Sequence, residues 1–354
     1  MTKTLDLGNG ILLGEGHPCV VILDAGVNHN NDACRARELI RTAKEGGASV
    51  IKFQTYTAGE ISTKSAPRYW NSVLDTDGGK TQYDMFAKVD KLPLEAYADL
   101  KAYAGELGIA FSSSPFGLES ADFLIKLGID FYKIASAEMT NYAMIRRVAE
   151  SGKPIIFSTG ACRMEEVDRA LEAAFQAGNS AVALQHCVLS YPCPWADANL
   201  AKMLELKKRY PGVPVGYSDH TYGEETPLAA VALGARSIEK HYTLDSTLPD
   251  SPDHKFSITK DELKSFVDKI RHVEASIGAH HDGYYPAEEK AFKYARRSLV
   301  AVRPIRKGEV VREDMLTTKR PGTGIYPEQA VKVIGRTARL DIEEDTVLSW
   351  DMLA

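Results

Sequence analysis

Short apolar runs alternate with amphipathic segments from about residue 18 to residue 278. Eight runs are typical of buried strands, and each is followed by a segment with helical spacing of apolar residues. The predicted strands are residues 19–23, 48–54, 109–112, 131–135, 154–157, 181–186, 213–217 and 236–239, and the predicted helices are residues 32–45, 94–107, 118–127, 140–151, 164–177, 200–210, 227–233 and 259–277. A long polar stretch, residues 55–91, interrupts the alternation. Regular strand–helix alternation predicts a parallel α/β sheet, and eight units favour a closed (β/α)8 TIM barrel.

Polar side chains cluster at the carboxyl ends of these predicted strands. Examples are Lys52 with Gln54, Ser114, Ser136 with Glu138, Tyr191, Ser218 with His220, and His241. The turns that lead from helix to strand carry glycines typical of helix C-caps instead. Because barrel enzymes place their active sites at the carboxyl ends of the strands, this asymmetry predicts an enzyme.

Two histidines follow the last two predicted strands. Those strands and helix 227–233 between them form one βαβ unit, whose crossover makes the strands parallel neighbours. His220 and His241 should therefore lie at one edge of the sheet, and we interpret them as ligands of a divalent metal. The alternative is two structural histidines bonded to the backbone. The metal interpretation is favoured because two carboxylates are near in sequence, those of Asp219 and Asp253.

Two lysines interrupt otherwise apolar strands. Lys52 faces the same way as Gln54, two residues on, and Lys133 lies in FYKIAS. Each lysine either forms a buried salt bridge or holds an anion. Serines at neighbouring strand ends favour a cradle for phosphate or carboxylate: Ser114, Ser136 and Ser218. Asp24 and Glu138 are candidate acid/base groups, with lysine pairing or helix capping as the alternative.

Composition argues against a nucleic-acid-binding protein, a disulfide-rich secreted protein and a membrane protein. The 354 residues carry a formal net charge of -5 and no basic tract, so nucleic-acid binding is not expected. The five cysteines form no CxxC pair, which is typical of a reduced, cytosolic protein. No segment has the apolar length of a signal peptide core or a membrane span, so we expect a cytoplasmic protein that does not enter the membrane.

The pattern changes after residue 278. We expect a barrel domain at residues 1–278, a polar linker at 279–294 and a small β-rich domain at 295–354. Residues 304–316 and 341–353 repeat the same pattern of Ile, Val, Asp, Met and Leu, which predicts a pseudo-symmetric module. The KRPGTGIYP segment between them predicts an exposed loop that presents Lys319 and Arg320.

Taken in order, the motifs NHN, KFQ, SSPF, KIAS-x-E, STG, HC-x3-YP, SDHT-x-G, EKH, PDHK and KRPGTG resemble the N-acylneuraminate (sialic acid) synthase family. The last part of the chain is similar to an antifreeze-like (SAF, β-clip) domain. The resemblance implies condensation of phosphoenolpyruvate with an N-acylated hexose to a nine-carbon 2-keto-3-deoxy acid, with release of phosphate. The acceptor stays open between N-acetylmannosamine and a di-N-acetylated 6-deoxyhexose, since the family includes sialic, legionaminic and pseudaminic branches.

The same resemblance implies roles for individual residues. Mn²⁺, with Mg²⁺ or Co²⁺ as alternatives, would bind His220 and His241 and activate the sugar aldehyde. Phosphoenolpyruvate would be held by Lys52, Ser114, Lys133, Ser136 and Ser218. The sugar would contact Gln54, Tyr191 and Asp253, while Glu138 positions or protonates its aldehyde oxygen. Arg320 would cover the barrel of the partner subunit, which implies a domain-swapped homodimer.

Two residues depart from the family pattern. Asp24 stands where most relatives have glutamate, and Leu189 stands where they usually have a polar residue. Two other functions are left open. One is a phosphoenolpyruvate-dependent synthase of shorter keto-deoxy sugar acids, a class that does not usually carry the C-terminal module. The other is a non-catalytic carbohydrate-binding protein, which would not need the polar residues at the strand ends.

Overall fold

The computed structural model describes residues 3–249, 251–279 and 282–354. The chain divides into two compact units, Met1–Gly278 and Ala279–Ala354. Among the described residues, no helix is both long enough and apolar enough to span a bilayer.

The strands, in chain order, are β1 (Leu5–Asp6), β2 (Leu12–Leu13), β3 (Val20–Gly26), β4 (Val50–Thr55), β5 (Ala110–Pro115), β6 (Phe131–Ile134), β7 (Ile155–Ser158), β8 (Val182–Cys187), β9 (Val215–Asp219), β10 (Ser237–Thr243), β11 (Ile258–Thr259), β12 (Ser298–Ala301) and β13 (Leu316–Lys319). The α-helices are α1 (Ala33–Glu45), α2 (Ala58–Ile61), α3 (Gln82–Val89), α4 (Leu94–Leu107), α5 (Leu118–Leu127), α6 (Tyr142–Ala149), α7 (Met164–Gln176), α8 (Ala201–Arg209), α9 (Glu225–Ala232), α10 (Lys260–Ile277), α11 (Glu289–Tyr294) and α12 (Ala330–Val333). Short 3-10 helices lie at Ser72–Leu74, Ser136–Glu138, Trp195–Asp197, Pro252–Lys255, Pro286–Glu288, Glu313–Met315, Pro327–Gln329 and Trp350–Met352.

Strands β3 to β10 form the predicted (β/α)8 barrel. Each is parallel to the next one in the chain, and β10 pairs with β3 to close the sheet. Apolar side chains fill the amino end of the barrel, where the β1–β2 hairpin contributes Leu5, Leu7 and Leu13 to a buried cluster. Because this end is plugged by apolar residues, the polar inward-facing side chains lie toward the carboxyl ends of the strands.

Successive side chains of β4 alternate between the barrel interior and the layer between sheet and helices. Val50 packs in the barrel interior, whereas Ile51 and Phe53 join the large core between sheet and helices. Lys52 and Gln54 therefore point the same way as Val50, into the barrel and toward its mouth. Asp32 is the N-cap of α1, since its carboxylate accepts from the Cys34 and Arg35 amides.

The two strands predicted to carry the histidines have different bounds from those expected. The observed β9 begins two residues later than the predicted strand 213–217, because Val213 closes a turn on the Tyr210 carbonyl. The predicted strand 236–239 is too short, since β10 continues to Thr243 and pairs His241 with Asp24 of β3. The polar residues from Lys240 to Thr243 therefore belong to the strand and do not end it.

The second unit contains the predicted internal repeat. Ile305 and Ile342, at matched positions of the two copies, exchange backbone hydrogen bonds of 2.8 Å in both directions. Glu313–Met315 and Trp350–Met352 form the same 3-10 turn in each copy. The range predicted as a linker contains ordered helix, including α11, and the Lys293 carbonyl accepts from the Gly322 amide.

Candidate active site

A cavity of about 280 Å³ lies at the carboxyl ends of the barrel strands. It is lined by every site residue predicted in the barrel, namely Asp24, Lys52, Gln54, Ser114, Lys133, Ser136, Glu138, Tyr191, Ser218, His220, His241 and Asp253. Leu189 also lines it. Arg320 belongs to the second unit, where it directly follows β13 and is exposed.

Four buried charges form the floor of the cavity. Lys52 Nζ lies 2.7 Å from Asp24 Oδ2, and Lys133 Nζ lies 3.2 Å from Glu239 Oε1. Lys52 Nζ also lies 3.8 Å from Glu239 Oε1, so the four groups make one network. Glu239 was not predicted as a site residue, although strict alternation with His241 on β10 would have placed it facing inward. Two positive and two negative charges cancel within the floor.

The pKa values of the floor residues follow from this pairing. Burial would raise the pKa of Asp24, but the neighbouring charges of Lys52, His241 and Lys133 lower it instead. Burial would likewise lower the pKa of Lys52, but the negative charges of Asp24 and Glu239 raise this pKa above its ordinary value. Both groups are therefore charged at neutral pH.

Serine hydroxyls surround the lysines. Lys52 Nζ donates to Ser114 Oγ at 3.4 Å, and Ser218 Oγ donates to Glu239 Oε1 at 3.5 Å. Ser136 Oγ accepts from the Gly160 amide at 3.0 Å. Among the described residues, Ser158 Oγ and Glu239 Oε2 are buried without a hydrogen-bond partner. Buried polar atoms normally have partners, so these two atoms indicate a polar ligand.

The two histidines face one another across the β9–β10 pair. Their ring centroids are 5.4 Å apart, and the Tyr191 ring lies 4.2 Å from His220. The Val188 carbonyl lies 2.8 Å from His220 Nδ1, so Nδ1 carries a proton and Nε2 is the nitrogen that titrates. His241 Nε2 lies 3.7 Å from Asp24 Oδ2. His241 Nδ1 is buried and lies 3.3 Å from Asp253 Oδ2, without hydrogen-bond geometry.

Cys187, also in the cavity, is polarised by His220. Its Sγ lies 3.8 Å from His220 Nδ1. Burial would raise the pKa of this thiol, but His220 lowers it. Burial would lower the pKa of His220, and Cys187 together with the Val188 carbonyl raises it to about 8. Each group thus favours the charged form of the other.

His220 and His241 fit a metal site that leaves coordination positions for water or substrate better than one in which protein side chains supply every ligand. Within the described part of the chain, no three His, Cys, Asp or Glu side chains form a group that could hold a metal ion. A metal on His220 and His241 would therefore take its other ligands from water or substrate oxygens. His241 Nδ1 is buried without a hydrogen-bond partner and His220 Nδ1 contacts the Val188 carbonyl, so each imidazole has a nitrogen that a metal ion could take.

Asp219, although next to His220 in sequence, does not line this cavity. Its Oδ2 lies 2.6 Å from Lys240 Nζ, and its Oδ1 accepts from Tyr217 Oη and the Thr221 amide. The reason is alternation along β9, because Ser218 faces the cavity and Asp219 faces the helices. Lys240 points outward for the same reason.

Glu138 is the cavity carboxylate best suited to carry a proton. It ends the 3-10 helix that follows β6, and Asn141 Nδ2 donates to its Oε2 at 3.0 Å. Burial raises the pKa of Glu138, and the Asn141 hydrogen bond offsets this only in part. The neutral acid therefore persists to higher pH than for an exposed glutamate.

The NHN motif after β3 fixes the loop that carries Asp253. Asn28 Nδ2 donates to the Tyr242 carbonyl at 2.9 Å and to Ser257 Oγ at 3.2 Å. Ser257 Oγ in turn donates to the Asp253 carbonyl at 2.6 Å. Asn28 therefore holds this loop beside His241.

Sequence reasoning missed one whole side of the cavity. The stretch at residues 55–91 folds over the barrel mouth as α2, a 3-10 turn and α3. Its apolar side chains pack with two from neighbouring loops into a cluster that we call the apolar wall: Val27, Tyr56, Ile61, Trp70, Met85, Phe86 and Phe116. The helical spacing of Met85, Phe86 and Val89, after the capping box at Thr81, was the available signal.

Comparison with known proteins gives the family. The NeuB family model matches residues 39–282, and the SAF domain model matches residues 296–354. An N,N'-diacetyllegionaminic acid synthase of Campylobacter jejuni is 39% identical over 334 residues, which cover 93% of this chain and 98% of that protein. A pseudaminic acid synthase of the same species is 35% identical over 325 residues, covering 91% and 93%.

A solved structure of a sialic acid synthetase supports the same family assignment. The N-acetylneuraminic acid (sialic acid) synthetase of Leptospira borgpetersenii superposes with a TM-score of 0.72 and 31% identity, covering 82% of this chain and 95% of that one. The family model spans more than half of the chain, and these relatives exceed 30% identity over most of its length. The chain therefore belongs to the NeuB family of sugar acid synthases, whose members include sialic, legionaminic and pseudaminic acid synthases, and it ends in a SAF domain.

Proposed function

We propose that this chain condenses phosphoenolpyruvate with an N-acylated hexose to give a nine-carbon 2-keto-3-deoxy sugar acid and inorganic phosphate. The observation that carries the proposal is the floor of the cavity, where Lys52 and Lys133 are buried among serine hydroxyls beside His220 and His241. Lysine and hydroxyl donors suit a phosphate and a carboxylate on one small molecule. The names of the relatives add the sugar acid product.

The reaction balances without a further co-reactant. The methylene carbon of phosphoenolpyruvate attacks the aldehyde carbon of the open-chain sugar and forms the new C–C bond. Water adds to C2 of the enolpyruvyl unit, and the tetrahedral intermediate collapses to the ketone as its C–O bond to phosphate breaks. One proton goes to the aldehyde oxygen, which becomes a hydroxyl.

The charges of the floor leave no excess positive charge to bind an anionic substrate. Since Asp24 and Glu239 neutralise the two lysines, a bound phosphoenolpyruvate would add uncompensated negative charge to a buried site. A divalent ion on His220 and His241, Mn²⁺ with Mg²⁺ or Co²⁺ as alternatives, would supply this missing positive charge and Lewis-acid polarisation of the aldehyde.

The remaining roles fall to side chains of the cavity rim. Glu138, whose pKa is raised by burial, would give a proton to the aldehyde oxygen. Gln54, Tyr191 and Asp253 line the same cavity and would bind the hydroxyl and amide groups of the sugar. Ser114, Ser136 and Ser218 would bind phosphoenolpyruvate together with the two lysines.

A panel of acceptors tests the function. Full-length protein is incubated with phosphoenolpyruvate, Mn²⁺ and one N-acyl sugar at a time, and both phosphate release and product mass are measured. We expect stoichiometric phosphate and a nine-carbon acid with at least one acceptor. Phosphate release only with five-carbon or four-carbon phosphosugars would show a synthase of shorter acids. Sugar binding without phosphate release would show a non-catalytic protein.

We also propose that the SAF domain of one subunit covers the barrel mouth of the other in a swapped homodimer. Arg320 is exposed on the domain, and its planar fork of donors suits an acylamino carbonyl. In this arrangement Arg320 of the partner subunit completes each site.

Subunit mixing tests this arrangement. Arg320→Ala and His241→Ala homodimers should each be nearly inactive, whereas mixed dimers should each contain one intact site. Random exchange should restore about one quarter of wild-type activity, as expected for an isologous dimer. Mixing His220→Ala with His241→Ala is the matched control, because both changes lie in the barrel and no dimer gains an intact site. Full activity of a monomer in light scattering would contradict the swap.

A further inference from the structure

Residues 67–81, between α2 and α3, form a closed loop at the barrel mouth that we call the mouth loop. Pro67 and Thr81 form an antiparallel bridge at its base, and Gln82 Nε2 donates to the Pro67 carbonyl at 2.6 Å. The two ends of the loop therefore meet, as in an Ω-loop, which is packed by its own side chains. The shape of such a loop depends on the residue that fills it.

A buried arginine fills the mouth loop. The Arg68 side chain is 8% exposed, and its two terminal nitrogens donate to the two carboxylate oxygens of Asp77 at 2.7 Å each. Nη1 also donates to Asp75 Oδ1 at 2.7 Å, and Nε donates to the Thr81 carbonyl at 3.3 Å. One guanidinium thus joins the start, the middle and the end of the loop. A lysine could not make these paired contacts, because it lacks the planar fork of donors.

The packing around this ion pair is tight. The Gly79 amide donates to Asp77 Oδ2 at 3.1 Å, and Lys88 Nζ of α3 donates to the Asp77 carbonyl. A Cβ atom on Gly79 would lie 2.7 Å from Arg68 Nη2 and 2.8 Å from Asp77 Oδ2. Any larger residue at this position would therefore disturb the ion pair.

The mouth loop presents two aromatic rings to the cavity, those of Tyr69 and Trp70. Trp70 Nε1 donates to Asp75 Oδ1 at 2.8 Å, and the Arg68 guanidinium lies 5.3 Å from the centroid of the Trp70 ring. The Tyr69 ring lies 6.1 Å from that of Tyr191. Because Asp75 binds both Arg68 and Trp70, the ion-pair network fixes a ring that faces the cavity.

The mouth loop also contacts two segments that carry predicted sugar-binding residues. The Asn71 amide donates to the Tyr191 carbonyl at 3.2 Å. Thr76 Oγ1 donates to the carbonyl of Pro249, four residues before Asp253, at 2.9 Å. The mouth loop therefore bridges the segments that follow β8 and β10.

The floor of the cavity is held by the barrel strands themselves. Lys52 and Lys133 lie within β4 and β6, and their partners Asp24 and Glu239 lie within β3 and β10. A change in the mouth loop should therefore disturb the outer side of the cavity and leave the floor intact.

Resting on the function proposed above, we propose that Arg68 is a positioning residue for the acceptor sugar. Its ion pair with Asp77 closes the mouth loop and so holds Trp70 and Tyr191 where the acceptor binds. Arg68 itself does not line the cavity, so it acts through these rings. Weakening the ion pair should impair binding of the acceptor and spare binding of phosphoenolpyruvate.

Two conservative variants test the ion pair. Arg68→Lys keeps the positive charge and removes the planar fork, and Asp77→Asn keeps the shape of the partner and removes its charge. Phosphate release is measured with Mn²⁺ while one substrate is varied at a saturating level of the other. We expect KM for the acceptor to rise about tenfold in both variants, because displacing a positioning group by about 1 Å can cost up to about 10²-fold. KM for phosphoenolpyruvate and the amount of bound Mn²⁺ should stay at their wild-type values.

Arg271→Lys is the matched control. Arg271 Nη1 donates to Glu274 Oε2 at 2.5 Å and to the carbonyl of Cys19, which precedes β3 at the amino end of the barrel, at 2.9 Å. This variant also removes a guanidinium with two partners, but Arg271 does not line the cavity or contact the mouth loop. Both KM values should therefore stay unchanged.

Trypsin cleavage reports on the mouth loop without any substrate. Lys80 is exposed within the loop, and cleavage after it requires the loop to open locally. We expect faster cleavage after Lys80 in the two ion-pair variants than in the wild type and the control. If both ion-pair variants melt below the assay temperature, Trp70→Phe tests the same network, because it keeps a ring and removes the donor to Asp75. It too should raise KM for the acceptor alone.

The outcomes separate this inference from the proposed function. An unchanged KM for the acceptor in the variants overturns the inference and leaves the synthase function standing, even where trypsin cleavage is faster. An equal rise in KM for both substrates, or the same rise in Arg271→Lys, also overturns it, because the effect would then be on the whole fold. Absence of phosphate release by the wild type with every acceptor overturns the proposed function and the inference together.

Discussion

Removal of divalent metal with EDTA is expected to stop phosphate release, and added Mn²⁺ is expected to restore it. The buried floor carries no net charge of its own, so the substrate anion and the polarised aldehyde both require added positive charge. His220→Ala and His241→Ala should reduce turnover to background even with Mn²⁺ present. Each variant should also bind less Mn²⁺ per chain, measured by metal analysis after gel filtration, which separates loss of the ion from loss of another catalytic role.

His186→Asn is the matched control for these variants. His186 lies on β8, next to β9, and is as buried as the two cavity histidines, but its Nε2 contacts the Ala198 carbonyl and it does not line the cavity. Its substitution should leave Mn²⁺ binding unchanged. Full activity of the wild-type enzyme in excess chelator, or normal Mn²⁺ content in both alanine variants, would contradict a two-histidine metal site.

The fold could be predicted because it is encoded by short-range periodicity. Apolar strands and amphipathic helices alternate eight times, and the two rules used, period two in strands and right-handed crossovers, need no long-range information. The same rules place Lys52, Ser218 and His241 in one barrel interior. Bounds were less predictable where function overrides pattern, as in β10, whose polar residues resemble a strand end.

The parts of the site that were missed depend on contacts between distant segments. Lys133 and Glu239 face each other from β6 and β10, which are not neighbours in the sheet, so no local pattern pairs them. Most of the apolar wall comes from the interrupting stretch at residues 55–91, whose mixed polarity hides the short helix α3 and a buried ion pair between Arg68 and Asp77. Asp219 shows the opposite case, because it is next to His220 in sequence but alternation along β9 turns it outward to Lys240.

Asp24 was predicted to depart from the family pattern, and its contacts in the structure make its role testable. Its Oδ2 lies 2.7 Å from Lys52 Nζ, 3.3 Å from Gln54 Nε2 and 3.7 Å from His241 Nε2. The shorter side chain therefore still reaches a lysine, an amide and the imidazole of His241 at once. Because the pKa of Asp24 is lowered in the fold, its ionised form contributes stability at neutral pH, and that contribution is lost only as pH falls through the lowered pKa. Asp24 is thus a carboxylate throughout any neutral assay.

Asp24→Asn keeps the shape of the side chain and removes this charge, so Lys52 loses its closest partner and His241 loses an orienting anion. We expect kcat to fall by about 10²–10⁴-fold, as for loss of a positioned acid/base group. Asp219→Asn is the matched control, since Asp219 pairs with Lys240 in an equally buried salt bridge on the outer side of the barrel wall. Both variants break a buried ion pair and should lose comparable thermal stability. Only Asp24→Asn should lose turnover at temperatures where both remain folded, and a near wild-type rate for it would show that this carboxylate only supports the fold.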